Sequence, residues 1–526
     1  MSTRTPQPPQ TGRAEPNPVP APVRRPGLLE RFGGIIRSLT RSRNSHPNLD
    51  YLMIRLVVFA LAAIGLIMVF SSSMTWSIAE GSTAWGTASR QAVMVFLGFV
   101  AFWFSLKLRP GLIRRVSPWL MLITLLMLVA VLIPGIGTGR EEVGSQSWLM
   151  LGPIQLQPSE IAKVTIAIWG AAYLADHTHR GGGWRNPFLI FSGVAGLFGL
   201  LIFLQGDLGM AVTFAITVVM LLIFAGVRMQ WVIGTLIAGA LAMSAVLMGG
   251  GFRSARFEVF FNSLFGNFED TQGQAFQSYQ GFLSLADGSL LGVGPGQSRA
   301  KWFYLPEAKN DFIFAIIGEE LGLWGGALVI MLFGALGYFG IQTALKAQDQ
   351  FQSLMAATLT AGVVTQAFIN IGYVVGMLPV TGIQLPMISA GGTSAIITLG
   401  SMGLLASCAR HEPEAVSAMQ SYGRPLFDRL LFLGEPRTHD AKREAPRPAE
   451  RPARFGAPVT RRPQPPVGGS VKSRNSAPAE RIRTEPRARQ NPPPRAARPN
   501  RQAPPVQQRR PGPDDERYRG QRGRRD

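Results

Sequence analysis

A single cysteine, Cys408, in 526 residues leaves this chain no intrachain disulfide and no cysteine-based zinc site. It lies in an apolar run, where a buried and inert thiol is the expected state. Histidine is scarce too: the five present sit in or beside polar segments, without metal-ligand spacing. Charge is thin, at 16% of residues against 47% hydrophobic, and unevenly spread. Lys and Arg number 8, 18 and 26, and Asp and Glu 3, 15 and 13, in residues 1–50, 51–410 and 411–526. The three blocks therefore carry +5, +3 and +13, and 29 of the 39 prolines lie in the two outer ones. One globular fold does not segregate composition in this way. The ends read as disordered basic arms and the middle as a membrane domain. The first 50 residues contain no apolar run of leader type, so the run starting near Leu52 is expected to stay as an uncleaved first span.

What the middle block has in abundance is apolar stretches long enough to cross about 30 Å of hydrocarbon as helices. They fall at 54–73, 91–106, 117–134, 160–176, 188–204, 208–227, 231–249, 312–341, 353–377 and 388–409. The predicted fold is thus all-α: a polytopic membrane domain of about ten transmembrane helices over 51–410, between arms 1–50 and 411–526. Gly318, Gly322, Gly325 and Gly326 in the eighth stretch suit close helix packing. That stretch is longer than one span needs, so its first turns are expected at the interface. Lys107, Arg109, Arg114 and Arg115, then Arg180 and Arg185, Arg228 and Lys346, mark alternate connections as cytoplasmic and put both termini there. The large loop 251–310 falls outside, although it carries Arg253, Arg256, Arg299, Lys301 and Lys309. Its aromatics and its turn Gly292-Val293-Gly294-Pro295-Gly296 predict an ordered structure on the outer face.

Ionisable residues within spans are costly and each needs a reason. Glu160 and Lys163 are three apart on one helix face, as a structural ion pair or as the wall of a polar cavity. Asp207 starts a helix after Gln205-Gly206, where capping alone accounts for an acid. Asp311 closes the long loop and opens an apolar helix, with Arg299, Lys301 and Lys309 close by in sequence. An N-terminal acid stabilised by the helix dipole is the plain explanation. The sharper one is a site for a lipid diphosphate, with cations on the phosphates and an acid managing a proton. Glu319 and Glu320 lie about 12–14 Å further along the helix. They are expected to be buried structural acids, with Glu319 the one to line a cavity.

At these residues the chain resembles a known family. Leu305-Pro306-Glu307-Ala308-Lys309-Asn310-Asp311-Phe312-Ile313-Phe314 with Gly318-Glu319-Glu320-Leu321-Gly322 is similar to the signature of the SEDS family. Gln157-Pro158-Ser159-Glu160-Ile161-Ala162-Lys163 resembles a second motif and Gln205-Gly206-Asp207-Leu208-Gly209 a third. Leu378-Pro379-Val380-Thr381-Gly382, with Pro386, Ser389, Gly391, Gly392 and Ser394, resembles a fourth. The Asn-Asp-Phe-Ile-Phe-Ala form is closer to the cell-division (FtsW) branch than to the elongation (RodA) branch, and the basic Pro-rich tail looks like actinobacterial members.

The resemblance implies a peptidoglycan glycosyltransferase that polymerises lipid II into nascent glycan at the outer face of the cytoplasmic membrane, at the division septum, with a class B penicillin-binding protein as transpeptidase partner. Asp311 matches the family's essential outer-loop acid, and Glu160, Lys163 and Trp148 match positions around its central cavity. Gln157, Asp207, Glu319 and Ser389 join them as candidate substrate-binding residues. One departure is the run Gly144-Ser145-Gln146-Ser147 before Trp148, where members usually carry Arg. An α-linked diphosphate donor giving a β-1,4 glycan needs one inverting displacement. Asp311 would serve as general base and Lys309, Lys301, Arg299 and Lys163 as phosphate cations. No cofactor is assigned; a divalent cation, Mg or Mn, could share the diphosphate, although the sequence shows no all-protein metal cage. The rival functions are a lipid II flippase and a non-enzymatic division scaffold. For the arms, anionic inner-leaflet lipid is the default partner and other division proteins the sharper one. Stacking residues for nucleic acid are missing. Leu28–Leu39 is amphipathic enough to lie on the inner surface.

Overall fold

A computed structural model of the chain describes residues 48–436, apart from 80, 82, 84, 141–143, 153, 178–185, 249–259, 262–274 and 306. The outer parts of both arms, the Leu28–Leu39 stretch, Arg180, Arg185, Arg253 and Arg256 lie outside the described residues.

Ten helices match the ten predicted stretches. In chain order they are α1 Leu49–Ala79, α2 Gly86–Lys107, α3 Pro110–Leu132, α4 Pro158–His177, α5 Pro187–Leu204, α6 Leu208–Phe224 and α7 Met229–Met248. Then, after the loop helix α8 Phe276–Gly288, come α9 Ile313–Lys346, α10 Gln350–Val374 and α11 Thr393–Arg410. Local chemistry sets several of the boundaries. Asn186 and Asp349 accept bonds from the backbone N–H of Phe188 and Phe351 as N-caps, and Pro110 and Pro187 occupy first-turn positions where no N–H is needed. By length and composition six of the ten, α1, α2, α3, α5, α9 and α10, are long and apolar enough to cross a membrane. The shorter apolar α6 has 17 residues. α4 carries Glu160, Lys163 and Asp176 and hides most of its surface against other helices, as α11 does. A helix wrapped by protein needs less hydrophobicity than one facing lipid. The chain is a multi-pass membrane protein.

Three features depart from a plain bundle. Between α3 and α4 an antiparallel three-stranded sheet forms from β1 Gly137–Thr138, β2 Trp148–Leu151 and β3 Ile154–Leu156, with Thr138 opposite Trp148 and Leu149 opposite Leu156. The expectation of an all-α chain therefore holds for the membrane part and not for this cap. Second, α9 is broken at Gly322 (φ 66°, ψ −165°), a conformation open to glycine alone. The break explains the excess length of this stretch: its first turns form a separate short helix, and Gly322 serves the kink, against the Gly292 backbone, rather than only close packing. Third, the chain stays ordered past the boundary expected at 410. Two further helices, α12 Pro413–Tyr422 and α13 Leu426–Leu430, follow α11, and Asp428 and Leu433 are fully buried. Composition missed this because two dozen residues of ordinary polarity vanish in the average of a long Arg- and Pro-rich tail.

Charges gather at the end of the bundle where α1 and α10 begin and α4, α9 and α11 stop. Arg114 pairs with Asp176 and Asp349, Lys346 with Asp50, and Lys107 sits 3.6 Å over the Trp103 ring. The opposite end carries the sheet, α8 and the loop that closes at Asp311.

Candidate active site at the loop end of the bundle

The first nine residues of α9 begin after a tight loop, Leu305–Phe312. Glu307, at φ 53°, uses its carbonyl to accept from Asn310 N–H and Phe312 N–H, and its carboxylate to accept from Asn310 Nδ2 at 2.6 Å. Phe312 is the N-cap of α9 and supplies no side-chain bond. Asp311 therefore stands one residue before the N-cap of α9 rather than at it, where the helix dipole still favours an acid. Asp207 is the contrast: its Oδ1 accepts from Met210 N–H at 3.0 Å as the cap of α6.

Half-buried Asp311 is held from behind by its main chain. Three consecutive carbonyls are taken in turn. Lys309 O accepts from Ala390 N–H at 3.0 Å, and Asn310 O from the Ser389 hydroxyl at 2.6 Å. Asp311 O accepts from Asn370 Nδ2 and from the Tyr373 hydroxyl, both at 2.9 Å. Asn370 and Tyr373 also reach Ile383 O, at 2.7 and 2.6 Å, so that α10 clamps the Asp311 loop and the segment 376–392 together. Two amide protons and one hydroxyl proton serve this whole knot, which leaves no donor to spare. Beside it the fully buried Phe312 ring lies 5.7 Å from the Tyr373 ring.

The segment 376–392 has no regular secondary structure and is wedged by close approaches. A methyl group at Gly65 of α1 would collide with Met387 O, and one at Gly209 of α6 with Thr381 O. Gln91 Nε2 donates to Ser389 O and Thr393 Oγ1 to Gln155 O, tying the segment to α2 and β3. Ser389, expected to bind substrate, instead has its hydroxyl engaged twice, donating to Asn310 O and accepting from Leu385 N–H. Its place in the motif reflects loop positioning.

One turn along α10 from Asn370, Gln366 leads to the second predicted cluster. Its Nε2 donates to Gln384 O, and its Oε1 accepts from Lys163 Nζ at 2.6 Å. Lys163 also pairs with Glu160 at 3.0 Å, both side chains nearly buried. Gln157 Nε2 donates to Asp207 Oδ2 at 3.0 Å. Burial pushes the Asp207 carboxyl up from its ordinary range and the nearby Glu160 adds to this, while Met210 N–H, Lys163 and Gln157 pull the other way. Around these residues lie buried polar atoms with no partner among the described residues: Ser147 Oγ, Ser159 Oγ, both amide atoms of Gln205, and Thr381 Oγ1. Buried polar groups are rarely left unsatisfied, so their concentration beside one ion pair marks a polar site (water or a hydroxyl-rich ligand would complete it). Half-buried Trp148 starts β2 at the edge of this region.

The loop cations divide. Arg299 is exposed and Lys309 half-buried. Lys301, expected as a phosphate cation, is buried, giving its ammonium to Gly296 O and lying 3.8 Å from Glu320, contacts that hold the loop. Glu319, expected to line a cavity, accepts from Ser298 Oγ at 2.7 Å and Arg299 N–H at 2.6 Å and is 1% exposed. Glu320 accepts from Ser71 Oγ of α1 at 2.5 Å. Both acids bolt the loop ahead of α9 to the helices, in keeping with their reading as buried structural acids. Sequence reasoning missed Gln366, Asn370, Tyr373 and Gln384; the one available signal was the i, i+4 pairing of Gln366 and Asn370 in an apolar helix. Among the described residues no three Asp, Glu, His or Cys side chains converge as a metal site. A divalent cation therefore has no all-protein cage in this part of the chain.

Comparison with known proteins places this arrangement. A family model described as cell cycle protein, FtsW/RodA/SpoVE, matches residues 51–414. The chain is 38% identical over 443 residues to the probable peptidoglycan glycosyltransferase FtsW of Mycobacterium tuberculosis, covering 81% of this chain and 83% of that protein. It is 35% identical over 360 residues to the stage V sporulation protein E of Bacillus subtilis, covering 68% and 97%. Among solved structures, a chain from a peptidoglycan synthase complex superposes with a TM-score of 0.56 at 22% identity, over 68% of this chain and 97% of that one. A mutant of the rod shape determining protein RodA of Thermus thermophilus gives 0.51, also at 22% identity, over the same shares. With a ten-helix bundle, a clamped acid at its loop end and a match across the whole membrane region, this chain belongs to the FtsW/RodA/SpoVE family of cell cycle proteins.

Proposed function

We propose that the chain is a peptidoglycan glycosyltransferase of the cell-division type, which polymerises lipid II by inverting displacement of undecaprenyl diphosphate. The observation that carries the proposal is the clamp on Lys309, Asn310 and Asp311: three carbonyls are fixed in sequence at an acid one residue before the N-cap of its helix. Positional control of that kind suits a general base that must meet an incoming 4-hydroxyl in one geometry. Asp311 takes the hydroxyl proton while C1 of the donor inverts and the C1–O bond to the diphosphate breaks. Lys309 and Arg299 stabilise the leaving diphosphate. The polar region around Glu160, Lys163, Gln157, Asp207 and Trp148 accommodates hydroxyl-rich glycan, its unpartnered Ser147, Ser159 and Gln205 atoms serving as donors and acceptors. No step is routed through a metal.

The paired charges at the α1 and α10 starts favour the cytoplasm for that end, by the rule that basic connections stay inside. The Asp311 end then faces outward, where the substrate is presented at the septum, and a class B penicillin-binding protein crosslinks the product. The basic tail beyond 436 is left to engage anionic lipid or other division proteins through charge. The reading is tested with purified protein in detergent and lipid II, following glycan chains on a gel. Asp311→Asn should lower polymerisation by about 10²–10⁴-fold with the fold intact. A near-normal rate for that variant would remove the base. Because flipping needs a sealed bilayer and polymerisation does not, product in detergent also separates this reading from a lipid II flippase.

A further inference from the structure

Beyond α11 the chain turns back along the bundle, and its inward face is built as carefully as any span. Asp428 is fully buried, accepting from Tyr51 OH and Arg410 Nε, both at 2.7 Å, with Arg55 Nη1 at 3.8 Å. The Phe427 ring meets the Phe59 ring at 6.0 Å and carries the Arg55 guanidinium at 4.2 Å. Leu431 O accepts from Trp103 Nε1 at 2.9 Å, and Arg424 Nη1 donates to Leu433 O, also at 2.9 Å.

Depth follows from these contacts. Asp50 pairs with Lys346 in the ring of charges at this end, and Phe59 lies nine residues further along α1, about 13 Å at the helical rise. Trp103 precedes Lys107 by four residues, or about 6 Å. The stretch therefore meets the charged ring at Asp428, through Tyr51 and Arg410, and reaches below it at Phe427 and Leu431, against the flanks of α1 and α2. There Phe104, whose ring touches that of Trp103, is 57% exposed, as a lipid-facing side chain should be.

The outward face of the same stretch is apolar. Tyr422 is 90% exposed, Leu426 and Leu430 75% and Phe432 85%. Phe432 reaches that position at φ 52°, a backbone conformation that bulky residues rarely adopt. Four large apolar side chains within eleven residues would be a costly patch in water, while at this depth acyl chains cover them. Arg429, exposed between them, has a stem long enough to bring its guanidinium to anionic headgroups.

We infer that Tyr422–Leu433 is a half-inserted lipid anchor, clamped inward by Asp428 and seated outward in the bilayer through Tyr422, Leu426, Leu430 and Phe432. Its leaflet, the inner one, rests on the orientation proposed above; the insertion does not, and the test reads insertion in either leaflet. The described chain then ends, at Pro436, beside this anchor rather than at the last span.

Full-length protein in nanodiscs of phosphatidylcholine and phosphatidylglycerol provides the test, because Cys408 is buried and the wild type gives the labelling baseline. Leu430→Cys and Phe432→Cys are compared with Ser417→Cys, on the polar exposed face of α12. A membrane-impermeant maleimide should label position 417 and not 430 or 432. Bimane attached through a permeant reagent should lose fluorescence to brominated acyl chains at 430 and 432, and not at 417. Labelling of all three positions by the impermeant reagent, without quenching, overturns the proposal in favour of a water-facing surface open to a protein. Protection without quenching overturns it as well, since the face is then sealed by protein.

Discussion

The two ends of the bundle use charge in opposite ways. At the α1 start, acids and bases cancel one another: Asp428 with Arg410 and Arg55, Asp50 with Lys346, Arg114 with Asp176 and Asp349. At the Asp311 end Glu160 pairs with Lys163 and Glu320 with Lys301, but many polar side chains are spent on the main chain. Ser389, Asn370 and Tyr373 hold carbonyls, Glu319 holds a backbone N–H, and Glu307 closes its own loop. The first arrangement holds helices together, and the second fixes where one carboxylate stands. A site whose chemistry needs a charge cannot also use that charge as cement.

The contrast can be broken or sharpened by substitution. The largest effect is expected for Asp311→Asn, with polymerisation lost and thermal unfolding unchanged; a large loss of stability instead would make Asp311 part of the cement. Next is the pair within the bundle. Lys163→Met strands the Glu160 carboxylate among buried groups and should cost about 3–5 kcal/mol, while the double change Glu160→Gln with Lys163→Met costs far less. Equal damage from both, read as Tm in detergent, would mean that the stranded carboxylate is not the source of the loss. Asn370→Ala removes a donor from Asp311 O and Ile383 O, a penalty of about 1–3 kcal/mol. If the clamp positions Asp311, kcat for glycan synthesis should fall more than KM rises, with Tyr373→Phe milder because Asn370 still reaches both carbonyls.

The smallest effect concerns acidity at the charged end. Burial, together with Asp50 and Glu414, pushes the Glu412 carboxyl up to about 8 from 4.5, against the pull of Lys346 and Thr343. The folded state thus keeps a proton that the unfolded chain has lost. The stabilisation is complete below 4.5 and is lost as pH rises through about 8. Thermal stability should decline across that window in the wild type and more shallowly in Glu412→Gln.

Much of the fold was legible because a bilayer leaves few choices: long apolar runs became helices at nearly the predicted places. The candidate site was legible in four charged members and one amide. Asp311, Glu160, Lys163, Gln157 and Asp207 each stand out as polar in an apolar setting or within a motif. Lys301, Glu319 and Ser389 show the limit of such a reading, since sequence shows that a group is polar and not whether a neighbour already occupies it. Lys301 is taken by Glu320 and Gly296, Glu319 by Ser298 and Arg299, and Ser389 by Asn310 and Leu385. Asn370 and Tyr373 escaped notice because an uncharged polar residue in a span is ordinary until its partners are known.

The sequence by itself determined the class of this protein, its ten helices and the acid at the loop end, because hydrophobic length and the cost of a charge near lipid are properties of single segments. Only the tertiary structure decided which polar groups are spent and which carbonyls are clamped, and it alone showed that the first part of the tail packs on α1 and α2. Those are matters of satisfied hydrogen bonds between residues as far apart as Tyr51 and Asp428, and distance along a chain carries no record of them.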